Sequence, residues 1–482
     1  MPHIGHTVLS TAESSIFGSV RKPSTSRADR WALGRSLRHE VPRSSLGDWR
    51  VEGGRSLPVE LIQRSHEGRI PELIPIRVAR MVSSPYGFLR GSAVVMAHDV
   101  AQVPSTGIRP VICGDAHLGN FGFYRSPEGT QVIDLNDFDE AHPGAWEWDL
   151  RRLTAAVVVA GRENGYTDDH CGDAVRSCVA AYRDEVRSLA SQPLLGRSFN
   201  RLDVDSLRDR ASDRALRDEI TRAAAAARRR TSDRAVPRFT EEVDGGRRIV
   251  EEPPMITRVD PDDYERIAIG IDDYLWSLAP HWRRVVGGYT LVDIAHKVVG
   301  VGSVGLRAYV ALLEGSSPDD VLFLQLKQAR RSVLAAHVHG ETALHKHQGQ
   351  RVAEYQQALQ TVSDPLLGFT RIDGRDYYVR QFRNMKGTVP LDAIGPTALS
   401  DYAGIVGHLL GKGHARTAGA SMIAGYLGSS DTILDAFARF AYAYADQTEA
   451  DHAQLVRAVR VGVLPIAEGG PGQMGSRFRP GG

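Results

Sequence analysis

Helical periodicity dominates the first half of the chain. Over 168–189 the apolar residues Ala174, Cys178, Ala181 and Val186 fall roughly on one face, and together with 146–161 this stretch is expected to be helical. A helix start is read at Pro58-Val-Glu-Leu-Ile62, and 71–81 carries an apolar face. Residues 110–139 change character. Val111-Ile-Cys113, Phe121-Gly-Phe-Tyr124 and Thr130-Gln-Val-Ile-Asp-Leu135 read as three short strands, the last two joined by a turn at Ser126-Pro-Glu-Gly129. Farther on, 294–301, 306–313 and 321–327 predict three consecutive strands, the first two separated by a glycine-rich turn. A helix over 341–362 follows, then a hairpin of 368–372 and 377–382 around Asp373-Gly374, an apolar helix over 398–414, and a segment over 432–459 rich in alanine and aromatics.

Between these blocks the composition shifts. Residues 1–55 are rich in Ser, Arg and Gly without sustained periodicity and read as a disordered arm. Residues 195–260 are charged and helical over 203–230, close at Pro253-Pro254, and read as an insertion or linker. Within them, Arg228-Arg229-Arg230 is either an anion-binding patch or a solvated helix end with cations near the C-terminal dipole; the second is the expectation. The organisation predicted is therefore 1–55, 56–194, 195–260, 261–390, 391–464 and a loose tail over 465–482, in an α+β fold.

The 482 residues are 42% hydrophobic and 24% charged, an ordinary globular composition. A formal charge of +1 lacks the basic excess of a nucleic-acid binder. No apolar run approaches the roughly 20 residues of a membrane span. The three cysteines cannot form a disulfide framework, and the N-terminus has no charged-then-apolar secretory pattern, so a cytoplasmic location is expected. Lysine is scarce, six positions against 53 arginines, so each lysine at a chemically suggestive position carries weight.

The densest chemistry lies in Gly114-Asp115-Ala-His117-Leu-Gly-Asn120 and Asp134-Leu-Asn-Asp137-Phe-Asp139-Glu140. Asp115 and Asn120 stand on a loop after one strand, and Asp137 ends another strand one hairpin away. A carboxylate, an amide oxygen and a second carboxylate can converge there, a hard-oxygen set suited to Mg²⁺ accompanied by substrate phosphates. The remaining carboxylate is then free to orient or deprotonate an attacking hydroxyl. Asn120 and Asp137 are the candidate metal ligands, with Asp139 and Asp134 as second choices, and Asp115 and His117 the candidate catalytic pair, with His117 expected to brace the loop more than to accept a proton.

The first of these segments resembles the G-D-x-H-x-x-N catalytic loop of aminoglycoside phosphotransferases and related small-molecule kinases. Leu135-Asn-Asp137-Phe-Asp139 is similar to the D-F-G metal motif of protein kinases, with Asp139 where Gly is usual, and Trp148-Asp149-Leu150 is similar to the W-D-L that opens a later phosphotransferase helix. From about residue 57 to 459 the chain also resembles a bacterial family, domain of unknown function 2252, on Phe88-Leu-Arg90-Gly91, Asn136-Asp-Phe-Asp-Glu140 and Tyr378-Val-Arg-Gln381.

Gly300-Val-Gly302-Ser303-Val-Gly305 lies between two predicted strands, where glycines permit close backbone approach to phosphates as well as ordinary hairpin packing. Leu324-Gln-Leu-Lys327 resembles the kinase V-A-I-K strand, whose lysine contacts nucleotide phosphates. The resemblance also implies a helical glutamate beside that lysine, with Glu354 first choice and Glu341 its competitor. The order is inverted relative to a kinase, because Asp115 precedes Gly300. The expectation is a two-lobed, protein-kinase-like fold in circularly permuted order: a helical catalytic lobe first, an antiparallel-sheet nucleotide lobe second. ATP and Mg²⁺ are the expected cofactors, and an unidentified small-molecule hydroxyl the acceptor. A nucleotide-binding regulator without turnover and a metal-dependent phosphoesterase stay open as alternatives.

Overall fold

The computed structural model describes residues 25–50, 53–243, 246–298, 300–317, 319–339, 345–416 and 419–467. Its architecture is α+β. A six-stranded antiparallel sheet runs in the order Gly368–Ile372, Arg375–Gln381, Val321–Gln328, Ala308–Glu314, Thr290–Lys297 and Ile256–Arg258. Beside it lies a helical body whose main core is built from Trp146–Glu163, Asp168–Ser191, Pro396–Arg416 and Thr432–Arg460. Two short hairpin-like pairs, Phe121–Arg125 with Gln131–Leu135 and Val111–Ile112 with His142–Pro143, carry the acidic segments.

Strand Val321–Gln328 explains why a charged side chain can sit in the middle of the molecule. Its seven leading residues are all buried, so both faces are covered. The even positions Leu322, Leu324 and Leu326 enter a core with Ile267, Ile271 and Tyr274. The odd positions Val321 and Phe323 meet Ala235 and Ile249 on the opposite face. Two-residue alternation then carries Gln325 and Lys327 along that second face to where the apolar cover ends and a cleft opens.

Helix packing in the body is close. A Cβ placed on Gly407 would lie 2.1 Å from the carbonyl oxygen of Cys178, so the Pro396–Arg416 and Asp168–Ser191 helices touch backbone to backbone. The C-terminal turn of Pro396–Arg416 delivers two polar contacts to the strands below. Lys412 Nζ lies 2.5 Å from Asp134 Oδ2, both side chains almost completely buried, and His414 Nε2 is 3.2 Å from Asp149 Oδ2.

Three expectations need correction. Residues 25–50, read as part of a disordered arm, contain the helix Arg27–Ser36, capped by Ser26 and packed on Ala420–Leu427. Arginines of this Ser/Arg/Gly-rich segment donate to carbonyls at the end of Ala420–Leu427: Arg38 Nε to Tyr426 O at 2.8 Å and Arg43 Nη1 to Leu427 O at 2.8 Å. Residues 1–24 of the expected arm lie outside the described residues, as does Glu341. Second, the boundary at 260 falls too late, because Ile256–Arg258 already forms the edge strand of the main sheet. Third, the helix expected over 203–230 is two, Val204–Arg210 and Arg214–Arg228, restarted by Asp213, whose side chain accepts from Leu216 N. The Arg228-Arg229-Arg230 run closes the second of these as a helix end.

Removing one partner of the Lys412–Asp134 pair leaves an uncompensated buried charge, which typically costs about 3–5 kcal/mol. Lys412→Met is therefore expected to lower urea-unfolding stability by that order, and a loss under about 1 kcal/mol would show the pair to be energetically idle.

Candidate functional site

The loop after strand Val111–Ile112 is fixed at its root. Asp149, in the first turn of helix Trp146–Glu163, accepts Cys113 N at 2.7 Å and Gly114 N at 2.8 Å, one on each carboxylate oxygen. Gly114 has φ +79°, and a Cβ there would lie 2.3 Å from Glu140 O, so only glycine allows the two acidic segments to approach this closely. Downstream, Asn120 Nδ2 donates to Asp115 O at 2.8 Å, while His117 Nδ1 accepts Gly119 N at 3.1 Å. Burial first, then Arg90 and Arg152, push the His117 imidazole well below its ordinary pKa, so it is neutral and acts within the loop as an acceptor. Cys113 is fully buried and burial holds its thiol well above the usual value, which leaves it inert.

Asp115 faces the cleft with its Oδ1 2.5 Å from the Arg152 guanidinium. Burial raises its carboxyl; Arg152 opposes this, Asp137 and Glu140 reinforce it, and the result is about 7. That value lies near neutrality, where proton acceptance is most useful.

The opposite wall comes from the sheet. Lys327 Nζ sits 2.5 Å from Asp139 Oδ2 and 4.0 Å from Asp137 Oδ1. Tyr378, directly across the strand pairing from Lys327, donates its hydroxyl to Asp139 Oδ1 at 3.0 Å, and Ser303 Oγ donates to Asp139 Oδ2 at 3.0 Å. Burial alone would raise the Asp139 carboxyl, but the Lys327 charge and the hydrogen bonds from Lys327 and Tyr378 outweigh it and hold the group below its ordinary range. Lys327 is raised correspondingly: burial opposes its charge, and the carboxylates of Asp137 and Asp139 overcome that.

Asp139 therefore occupies the position beside the lysine that Glu354 was expected to take. Glu354 instead faces His345 Nε2 at 3.3 Å and accepts Gln350 Nε2 at 2.8 Å. The residue of helix Gln348–Leu359 that reaches the acidic segment is Arg351, which donates to Asp139 O at 2.7 Å and Ala141 O at 2.5 Å. With both oxygens engaged, Asp139 serves as the counter-ion of Lys327 rather than as an open ligand.

The glycine-rich turn closes the top of the same cleft. Gly300, Gly302 and Ser303 line it; Gly305, at φ +85°, stands behind, its carbonyl accepting Ile70 N at 2.8 Å. Arg69 holds the turn in place by donating to Val304 O at 2.5 Å and Gly302 O at 2.9 Å. The cleft measures about 390 Å³, and Asp115, His117, Asn120, Asp137, Asp139 and Lys327 all border it. Its lining holds eight Arg and Lys side chains against four Asp and Glu, a surplus that favours a polyanionic ligand. Asp149, Arg69, Arg152 and Arg351 escaped sequence reading as site-forming residues. For Asp149 a signal existed in Trp148-Asp149-Leu150; single arginines in a chain with 53 of them carry none.

A family described as an uncharacterized protein conserved in bacteria, DUF2252, matches residues 69–458, about four-fifths of the chain. The chain belongs to the DUF2252 family. Comparison with curated proteins and with solved structures finds no match. No described helix of this DUF2252 protein is long and apolar enough to cross a membrane.

The raised Asp115 carboxyl has a stability consequence. Between the unfolded value near 4 and about 7 the folded state binds the extra proton, so folding stability falls as pH rises through that window and levels off above it. Urea unfolding of wild type and Asp115→Asn at pH 5, 6, 7 and 8 is expected to give a difference that moves in favour of the variant up to about pH 7 and is constant above; a pH-independent difference would refute the raised value.

Proposed function

We propose that this DUF2252 protein is an ATP- and Mg²⁺-dependent phosphotransferase that acts on a hydroxyl of a small molecule through a kinase-like pair of lobes joined in permuted order. The observation carrying this reading is that Lys327, the glycine-rich turn, Asp137 and Asp115 border one cleft although 185 residues separate Asp115 from Gly300. The permutation draws support from the helix Pro396–Arg416, which comes late in the chain yet ends with Lys412 on Asp134 and His414 on Asp149, at the base of the two acidic segments.

Lys327 and the backbone of the glycine-rich turn would hold the nucleotide phosphates. Among the described residues no three His, Cys, Asp or Glu side chains are arranged to hold a metal ion by themselves. The donor set nevertheless fits magnesium, which commonly takes one or two carboxylates and completes its shell with water and substrate phosphates. Asp137 is partly open to the cleft, and Asn120, with its amide nitrogen committed to Asp115 O, presents its oxygen for a further partner. Magnesium held there would neutralise charge on the transferred phosphate. Asp115, titrating near neutrality, would accept the acceptor's proton, with Arg152 fixing its orientation. His117 would keep the loop in shape through Gly119.

A second reading, nucleotide binding without turnover, has one observation in its favour: Arg152 already occupies Asp115, and Lys327 already occupies Asp139. Two measurements separate the readings. ATP with Mg²⁺ is expected to raise the melting temperature of wild type and of Asp115→Asn but not of Lys327→Ala. ATP consumption across sugar, aminoglycoside, choline-like and protein acceptors is expected in wild type and at least ~10²-fold lower in Asp115→Asn. An equal thermal shift in Lys327→Ala overturns the nucleotide assignment, and a wild type that binds but never consumes ATP leaves the regulator.

A further inference from the structure

The charge in the cleft is unevenly answered. Asp115 is matched by Arg152 and Asp139 by Lys327, while Glu140 Oε2 accepts Val333 N. On the side built by residues 69–90, Arg77 and Arg90 have no such carboxylate partner among the described residues. Arg77, in helix Ile74–Val82, borders the cleft with only 2% of its surface exposed. Its Nη2 donates to Gly91 O at 2.7 Å, but its Nε and Nη1 are buried without a hydrogen-bond partner. Arg90 Nε is likewise buried and unpartnered, and lies 3.8 Å from where a Cβ on Gly119 would be, beside the loop that carries Asp115. Arg330 completes the group, donating to Ser65 O at 3.2 Å, the carbonyl that also accepts Arg69 Nε at 2.9 Å. Burial first, then the charges of Arg69 and Arg330, pull the Arg77 guanidinium well below its ordinary value.

Buried donors in folded proteins are nearly always satisfied, and orphaned ones call for a missing partner. Here three orphaned N–H positions belong to planar guanidiniums, whose forked geometry matches the oxygens of a phosphate. We propose that Arg77, Arg90 and Arg330 form a second phosphate subsite, separate from Lys327, which receives a phosphate group carried by the molecule whose hydroxyl meets Asp115. That the occupant is the acceptor rests on the phosphotransfer reading above; that the pocket takes a phosphate does not. The substrate class is thus a phosphorylated hydroxyl compound, held at one end by arginines and presented at the other to the carboxylate.

Calorimetric titration of the full chain with inorganic phosphate tests this directly. Wild type is expected to bind phosphate, both alone and with saturating Mg·ADP present. Arg90→Gln and Arg77→Gln are each expected to weaken binding about tenfold, the loss of one charge-assisted hydrogen bond, with Mg·ADP saturating the Lys327 side. Arg90 is only half-buried, so that variant carries the test even where Arg77→Gln fails to fold. Displacement of phosphate by Mg·ADP would assign these arginines to the nucleotide and overturn the proposal, as would undiminished binding in Arg90→Gln. A protein that never consumes ATP yet passes the titration refutes only the phosphotransfer reading.

Discussion

The ion pair between Lys327 and Asp139 ties the sheet to the helical body, and the geometry of the cleft follows from it. Magnitudes show what such a pair is for. Opposite charges about 4 Å apart attract by about 4 kcal/mol at an effective dielectric of 20, while removing each ion from water costs several kcal/mol. Those terms nearly cancel, so the contact adds little to net stability. Its effect is positional: with Tyr378 and Ser303 on the same carboxylate, strand Val321–Gln328, strand Arg375–Gln381 and the glycine-rich turn are all registered against one oxygen pair.

The acidic loop is held by the same kind of economy from below. Asp149 takes two consecutive backbone N–H groups, and His414 approaches the same carboxylate from a helix remote in sequence. Main-chain donors fixed in this way do not depend on side-chain rotamers, so Asp115 and Asn120 are presented on a rigid base. Arg69 performs the matching task above, gripping carbonyls of the glycine-rich turn. Function is thus carried by loops, and their order comes from buried charges anchored in helices and strands.

What could be read from sequence was whatever depends on short spacing. Strand alternation placed Lys327, the hairpin turn at Asp373-Gly374 set the register of its neighbours, and the segments containing Asp115 and Asp137 announced themselves by density of acids and amides. Partnership was harder. Glu354 was the expected partner of Lys327 and Glu341 its competitor, yet Asp139 takes that place, while Arg351 reaches the acidic segment and Glu354 turns to His345. Arginine was the least legible residue of all. Many of the 53 are solvated, so nothing local distinguished Arg77 or Arg152, whose meaning lies in burial and in what fails to face them. The N-terminal segment misled because it lacks periodicity, while Arg38 and Arg43 fix it by binding helix carbonyls far away in sequence.

The two buried pairs that organise the cleft join residues 188 and 278 positions apart. A ribosome releases Asp134 and Asp139 long before it releases Lys327 or Lys412, so the nascent acidic segments have no counter-charge during most of translation. Contacts of such span are slow to form and leave hydrophobic surface uncovered while they wait. The cleft therefore cannot be closed by its own counter-charges until the strand carrying Lys327 and the helix carrying Lys412 have both been made.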